Sequence, residues 1–450
     1  MPAPDPAARR RLPSVDALLR SEPGRRAAAT FGRPLLKRTV TDAIAAARAA
    51  AAARGDAPEA DAILAVAVTA AARAAGGPVP VVNATGVLLH TGLGRAPLPE
   101  SAIVALERAA RGATDLELDL ATGARGRRSA RAETLLTAIT GAEAAIVVNN
   151  GAAVLLLALA ALAKGRSVLV SRGELVEIGG GFRIPDILAA SGAKLIEVGT
   201  TNRTRVADFR DAWTDRTALI LKVHPSNYRI VGFAESPTPK QLATLAASRG
   251  VPFVHDLGSG LLEPGRVADE PSVAEALDAG ADLALFSGDK LLGGSQAGIA
   301  VGRADLIDRM RKHPIARAVR VDKLQTAALE AVLVEHATGR RDELPIWRML
   351  REPITAVRAR ARTLAEAIPD ARVVASTASV GGGSLPGGDL PSAAVRIEDA
   401  SADALVTRLR TGRPAVLARV DRGAVLLDCR TIADDEIDVV ARAVRRARVG

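Results

Sequence analysis

The stretch LALFSGDKLLGGSQAG, residues 283–298, decides the reading of this chain. A short apolar run, Leu283–Phe286, ends in Ser287-Gly288-Asp289-Lys290, and Gly293-Gly294 follow at once. A lysine just past a buried strand can have a depressed pKa and attack a carbonyl as a free amine. Glycines beside it let backbone approach a ligand closely. A surface lysine in a glycine hairpin would look the same, and this segment alone leaves both readings open. Five further runs end in the same manner. They are Ala145–Val148 before Asn149-Asn150-Gly151, Ser167–Val170 before Ser171-Arg172-Gly173-Glu174, and Leu195–Val198 before Gly199-Thr200-Thr201-Asn202. The other two are Leu219–Val223 before His224-Pro225-Ser226-Asn227, and Val251–Val254 before His255-Asp256. Helical stretches separate them, so residues of about 80–330 read as βαβ units and a mainly parallel sheet. Open α/β sheets bind ligands at the carboxyl edge of the strands, where these polar residues fall.

Three positions on that edge carry chemistry. Asp256 lies about one βα unit before Lys290. A carboxylate beside a pyridine nitrogen keeps that nitrogen protonated and makes pyridoxal phosphate an electron sink; a helix N-cap is the plainer alternative. Asn149, Asn150, Gly151 and Ala152 join a strand to an apolar helix, and free N–H groups at such a helix start suit a phosphate. A helix-start anion site, then a strand-end Asp, then a strand-end Lys is the order of a fold-type-I pyridoxal phosphate enzyme. Ser287, Asn227 and His255 join the expected cofactor contacts, and His224 and Phe182 are candidates to stack on the ring. Arg95, Arg317 and Arg320 suit a phosphate-like anion if they converge, with the last two spaced to share a helix face. Scattered surface arginines are the alternative in so Arg-rich a chain. The run GARGRRSAR, 123–131, holds four arginines and no acid, as either a nucleic-acid contact or a solvated loop.

The rest of the chain frames this core. The 450 residues carry 60 Lys and Arg against 50 Asp and Glu, a net charge of +10. The hydrophobic fraction of 48% and the charged fraction of 24% fit a globular protein and exclude a disordered or collagen-like chain. Cys429 is the single cysteine, which excludes an intrachain disulfide and a Cys-based metal cluster; no metal site is expected. The longest apolar run, Gly151–Ala163, covers roughly 20 Å as a helix, short of a roughly 30 Å hydrocarbon core. The polar N-terminus has no apolar signal segment, so a cytoplasmic protein without membrane attachment is expected. Residues 1–80 hold 12 Lys and Arg against 7 Asp and Glu, half the net charge in under a fifth of the chain. That asymmetry fits either a polyanionic partner or a solvated helical surface. We expect a helical basic domain over 1–78, a catalytic domain over 79–330, and a smaller α+β domain over 331–450. Within the first, Thr39–Asp42 offers a cap for a helix that stops at Gly55, and a second helix covers roughly Ala60–Ala75.

Eight segments in this order resemble the bacterial selenocysteine synthases, the L-seryl-tRNA(Sec) selenium transferases. They are VVNATGVLLHTGLGRAPL (81–98), TGAEAAIVVNNGAA (140–153), SRGELVEIGGGFRIPD (171–186), EVGTTNRTR (197–205), LKVHPSNYRIVGF (221–233), HDLGSG (255–260), FSGDKLLGGSQAGIAVG (286–302) and HPIARAVRVDKLQTAALEA (313–331). Ser295 stands where the family usually has Pro, and Gly151 where it often has Asn. The resemblance implies a fold-type-I large domain with pyridoxal 5'-phosphate on Lys290. It implies that seryl-tRNA(Sec) becomes selenocysteinyl-tRNA(Sec) by β-elimination through an aminoacrylyl-tRNA and addition of selenium from selenophosphate. It further implies that Arg95, Arg317 and Arg320 serve the anionic donor, that the N-terminal domain grips tRNA rather than DNA, and that the chains form a homodecamer of five dimers. The alternative within the same family is a pyridoxal phosphate lyase acting on a small amino acid or amino sugar acid. A desulfurase is disfavoured, because Cys429 sits in the strand-like VLLDCRT of the last domain.

Overall fold

In the computed structural model the described residues are 12–54, 57–179, 181–265, 267 and 270–449. The chain divides into two compact units, one reaching to Pro80 and one starting at Val81. The first is helical: α1 (Val15–Arg20), α2 (Glu22–Phe31), α3 (Arg33–Arg54) and α4 (Ala60–Ala75). Leu18, Leu36, Val40, Ile44, Ile63 and Leu64 close its core. Helix α4 has the bounds expected of it. Thr39–Asp42, in contrast, does not start a helix: α3 already begins at Arg33 and runs through it. Gly32, at φ +84°, and Pro34 set the real start, and Asp42 pairs with Arg38 at 3.0 Å on the helix surface. The expected stop at Gly55 lies outside the described residues.

The second unit is built on a seven-stranded sheet. Its strands are β1 (Ala144–Val148), β2 (Ser167–Ser171), β3 (Lys194–Val198), β4 (Thr217–Val223), β5 (Phe253–Gly258), β6 (Leu283–Ser287) and β7 (Gly298–Gly302). The spatial order is β1-β7-β6-β5-β4-β2-β3, parallel except for β7, which is antiparallel to both neighbours. The strands are near-continuous apolar runs because helices cover both faces, as a mainly parallel sheet requires. One face packs on the cluster of Phe253, Phe286 and Leu169, the other on Val254, Leu285 and α5 (Gly151–Ala163). The insertion of β7 has a direct consequence. Gly298 pairs with Val148 on one side and Ser287 on the other, so the ends of β1 and β6 lie two strands apart at one level. Only glycine fits there, since a Cβ on Gly298 would sit 1.9 Å from Asn150 O.

Helix α6 (Pro314–Ala318) and helix α7 (Lys323–Ala337) lead towards the C-terminal lobe. That lobe is a second sheet of β8 (Ala371–Gly381), β9 (Ser384–Glu398), β10 (Arg419–Asp421) and β11 (Ala424–Asp428), backed by helices α8 (Ala402–Thr411) and α9 (Ile437–Val449). The segment after Pro80 stitches the lobe to the large sheet. Val81–Asn83 pairs in parallel with Ala415–Leu417, and Leu88 and Leu89 donate to Ser379 O and Val380 O.

Candidate active site

The site forms where β1, β5 and β6 end. Asn150 caps α5, its Oδ1 accepting from Ala153 N at 2.8 Å. The first N–H groups of a helix have no intrahelical partner, so Gly151 and Ala152 present theirs beyond the capped one. Ser287 reaches the same place from β6: a Cβ on Gly151 would lie 2.5 Å from Ser287 Oγ. The Asn149 backbone N–H donates to Val319 O at 2.9 Å, and its buried Oδ1 has no partner. This helix start offers N–H groups, a hydroxyl and a positive dipole end, the donor set a phosphate monoester needs.

Lys290 is 6% exposed. Its Nζ has a single long contact, to Gly383 O at 3.4 Å. Burial lowers its pKa, with Asp256 opposing and Arg95 reinforcing the shift. Asp256, near the end of the adjacent strand, is partly exposed. The protein around it nonetheless pushes its carboxyl up to about 6, with Lys290 pulling it down. A bulge between Asp256 and Gly258, with Gly258 at φ +73°, turns this strand end towards the lysine; a Cβ on Gly258 would lie 3.6 Å from Nζ. Arg95, itself at φ +64°, pairs with Asp289 at 2.7 Å and fixes the loop that carries Lys290. A helix start with free N–H donors, an amine of lowered pKa and a carboxyl of raised pKa thus share one sheet edge. These groups fit the phosphate, the aldehyde and the ring nitrogen of pyridoxal phosphate.

Of the other expected residues, His224 is within electrostatic reach of Asp256, and the rest have surroundings of their own. His255 alternates to the face opposite Asp256 and packs on Phe253, ring centroids 6.0 Å apart. Burial, then Lys222 and His224, push its pKa down to about 3, so it is neutral. Asn227 donates Nδ2 to Glu177 O at 2.7 Å on the exposed side, whereas its neighbour Ser226 is buried near Gly383. His224 Nε2 lies 3.5 Å from Glu270 Oε2, and the side chain of Phe182 lies outside the description. Arg317 and Arg320 line a cleft of ≈ 420 Å³ together with Arg125, Arg127, Arg128 and Glu117, and neither Arg95 nor Asp289 is part of that lining. They do not share a helix face, because α6 ends at Ala318, and the Val319 carbonyl is engaged by Asn149 instead. The run 123–131 is no free basic patch. Arg125 and Arg128 pair with Glu117 at 2.8 and 2.9 Å, Arg127 with Glu133 at 3.2 Å, and Arg131 with Asp115.

Gly383 is the residue the sequence reading missed. Gly381, Gly382 and Gly383 have φ of 70°, 64° and 74°, and a Cβ on the first two would strike Val87 Cγ1 at 2.4 Å and Leu89 Cβ at 2.8 Å. Three glycines in a row at a hairpin tip were the available signal. Cys429 is buried with its thiol pushed up to about 12 by burial and by Asp428, which removes it as a nucleophile. No cluster able to hold a metal occurs among the described residues, and no described helix is long and apolar enough to cross a membrane.

The strand order, with an antiparallel strand between the anion site and the lysine, is the architecture of fold-type-I enzymes. A solved D-glucosaminate-6-phosphate ammonia-lyase shares this fold at a TM-score of 0.61 and 21% identity, over 83% of this chain and 96% of that one. The family profile of L-seryl-tRNA selenium transferase matches residues 81–433, and that of the selenocysteine synthase N terminus matches 9–48. An L-seryl-tRNA(Sec) selenium transferase of Geobacter sulfurreducens is 44% identical over 97% of this chain and 98% of its own length. One of Hyphomonas neptunium is 47% identical over 82% of each. The chain belongs to the L-seryl-tRNA selenium transferase family.

Proposed function

We propose that this protein converts L-seryl-tRNA(Sec) to L-selenocysteinyl-tRNA(Sec) with pyridoxal phosphate as cofactor and selenophosphate as selenium donor. The observation that carries the reading is the buried, under-bonded amine of Lys290 beside Asp256, in a chain whose relatives at 44–48% identity bear that activity in their names. Gly151, Ala152 and Ser287 would hold the cofactor phosphate, Asp256 the ring nitrogen and Lys290 the aldehyde end. The bound cofactor supplies an electron sink for charge developing at the serine α-carbon. Burial favours the neutral form of Lys290 Nζ, which suits it to serve as a nucleophile and as the base for the serine α-proton. Asp256 would keep a proton on the ring nitrogen of the bound cofactor. Arg95 steadies the lysine loop through Asp289, and the Arg317–Arg320 cleft receives the donor anion. The basic N-terminal unit selects the tRNA body, and five dimers assemble into a ring.

Incubation of the purified protein with pyridoxal phosphate, seryl-tRNA(Sec) and selenophosphate tests this directly. Selenocysteinyl-tRNA is the expected product, and release of free ammonia from a small amino acid or amino sugar acid instead would replace this reading with the lyase. Deletion of residues 1–75 should leave cofactor binding intact and abolish preference for tRNA(Sec) over serine tRNA.

A further inference from the structure

The two C-terminal helices end side by side. Arg408 Nε donates to Ala447 O, tying the last turn of α8 to the last turn of α9. Between them opens a cleft of ≈ 270 Å³, rimmed by Arg408, Arg413 and Arg446 over a floor of Leu409, Pro414 and Ala443. None of the three arginines has a carboxylate partner among the described residues. The arginines on the sheet of the same lobe do: Arg372 and Arg396 meet Glu398 at 2.9 Å, and Arg419 meets Asp428 at 3.4 Å. Arg442, exposed and one helical turn before Arg446, adds a like charge on the same face, an arrangement that costs a helix stability on its own.

Arginines at helix C-termini also answer the helix dipole, and the magnitudes decide between the two explanations. Two helix ends present about half a negative charge each, roughly one charge in total. Three guanidinium groups at the cleft exceed that about threefold. The excess has no internal counter-charge among the described residues, and the cleft is too small for a folded partner to enter. Planar guanidinium forks around a small concavity match the tetrahedral oxygens of a phosphate. A partner that offers a continuous row of phosphates is the sugar-phosphate backbone of an RNA.

We propose that the Arg408–Arg413–Arg446 cleft between α8 and α9 docks the phosphodiester backbone of the tRNA substrate, as a contact separate from the catalytic edge. This rests on the tRNA reading above. Backbone contacts position a nucleic acid and carry no sequence information. The cleft therefore strengthens binding of tRNA(Sec) and serine tRNA by the same factor, unlike a selecting module.

The test is a titration of fluorescent tRNA(Sec) and serine tRNA transcripts against the full-length holoprotein at several salt concentrations. The variants are Arg413→Gln with Arg446→Gln, both on exposed side chains, and Arg372→Gln as the control on an arginine already neutralised. Arg408 is kept because it ties the helices. Affinity for both tRNAs should fall about tenfold per arginine, the loss of one charged hydrogen bond. The slope of log affinity against log salt should become shallower by about two, while Arg372→Gln and the cofactor absorption band stay unchanged. Unchanged affinity and slope in the double variant would overturn the docking alone. So would loss confined to one tRNA, or protection of these arginines from phenylglyoxal by inorganic sulfate but not by tRNA. Failure of the unaltered protein to bind either tRNA would overturn the tRNA reading itself, and the docking with it.

Discussion

Two lysines stand at the same edge of the large sheet, Lys222 mostly buried and Lys290 buried, and their surroundings are opposite. Lys222, near the end of β4, meets Glu174 Oε1 at 2.6 Å, Ser236 Oγ at 3.3 Å and Pro237 O at 3.3 Å. Three acceptors satisfy the three N–H bonds of an ammonium. The other oxygen of Glu174 accepts from Val223 N at 3.1 Å, so the pair is closed on both sides. Lys290, after β6 with β5 between, has one distant carbonyl. A lysine given a full set of acceptors has its N–H bonds committed to the fold and braces the strand ends. A lysine buried without them is pushed towards the neutral amine and keeps its lone pair for a ligand. Reactivity on this edge is decided by what was left out around Nζ.

The sharpest way to break this contrast is to remove each amine. Lys290→Ala should lower turnover roughly 10⁴-fold or more, and borohydride should no longer fix the cofactor to the protein, as read by mass spectrometry of the peptides. Cofactor reduced onto Lys222 would reverse the two assignments. Lys222→Ala should keep the reducible cofactor but lose about 3–5 kcal/mol in urea unfolding, because Glu174 is left buried and unpaired. A variant of normal stability that has lost the cofactor would put Lys222 in the site. Asp256→Asn should retain the lysine-bound cofactor yet turn over roughly 10²–10³-fold more slowly, the scale of one lost preorganised group; near-normal rates would free Asp256 from its role.

The smaller effects sharpen the picture. Arg317→Ala should cost about 1.5–3 kcal/mol, read as a raised KM for the selenium donor with tRNA affinity unchanged. His255 supplies a pH test of burial without function. Its folded pKa of about 3 lies below the unfolded value near 6.5. The unfolded chain therefore binds the extra proton between those values, and the stability His255 contributes is full above about pH 6.5 and is lost as pH falls towards 3. His255→Gln should flatten the decline in unfolding midpoint between pH 6.5 and 5, with little change in turnover.

Much of the large sheet was legible because each parallel strand is an apolar run with a polar stop, and Asp256 and Lys290 stand at two of those stops. Strand β7 was not read as a strand. GIAVG is too short and glycine-bounded to announce itself, and its role is to separate two strands far apart in the chain. The same limit hid Gly383, which meets Lys290 across 93 positions of sequence. Local signals also competed. Asp42 looked like a cap because Asp favours caps, but a partner one turn back holds it within the helix. The spacing of Arg317 and Arg320 implied a helix face only while α6 was taken to continue, and a tertiary hydrogen bond at Val319 ends it.

The pairing of Val81–Asn83 with Ala415–Leu417 sets a timetable for biosynthesis. The first of these strands leaves the ribosome some 330 residues before its partner. At roughly 5–20 residues per second, that interval is on the order of 20–70 s. Throughout it, the segment leading into the Arg95–Asp289 contact lacks the strand that anchors it. The nascent chain can complete its large sheet early, since the last strand of that sheet ends at Gly302. The loop carrying Lys290 gains its final support only when the C-terminal lobe emerges. Truncated translation products ending before residue 415 should therefore carry a formed sheet with an unseated lysine loop, and be inactive for a mechanical reason rather than a chemical one.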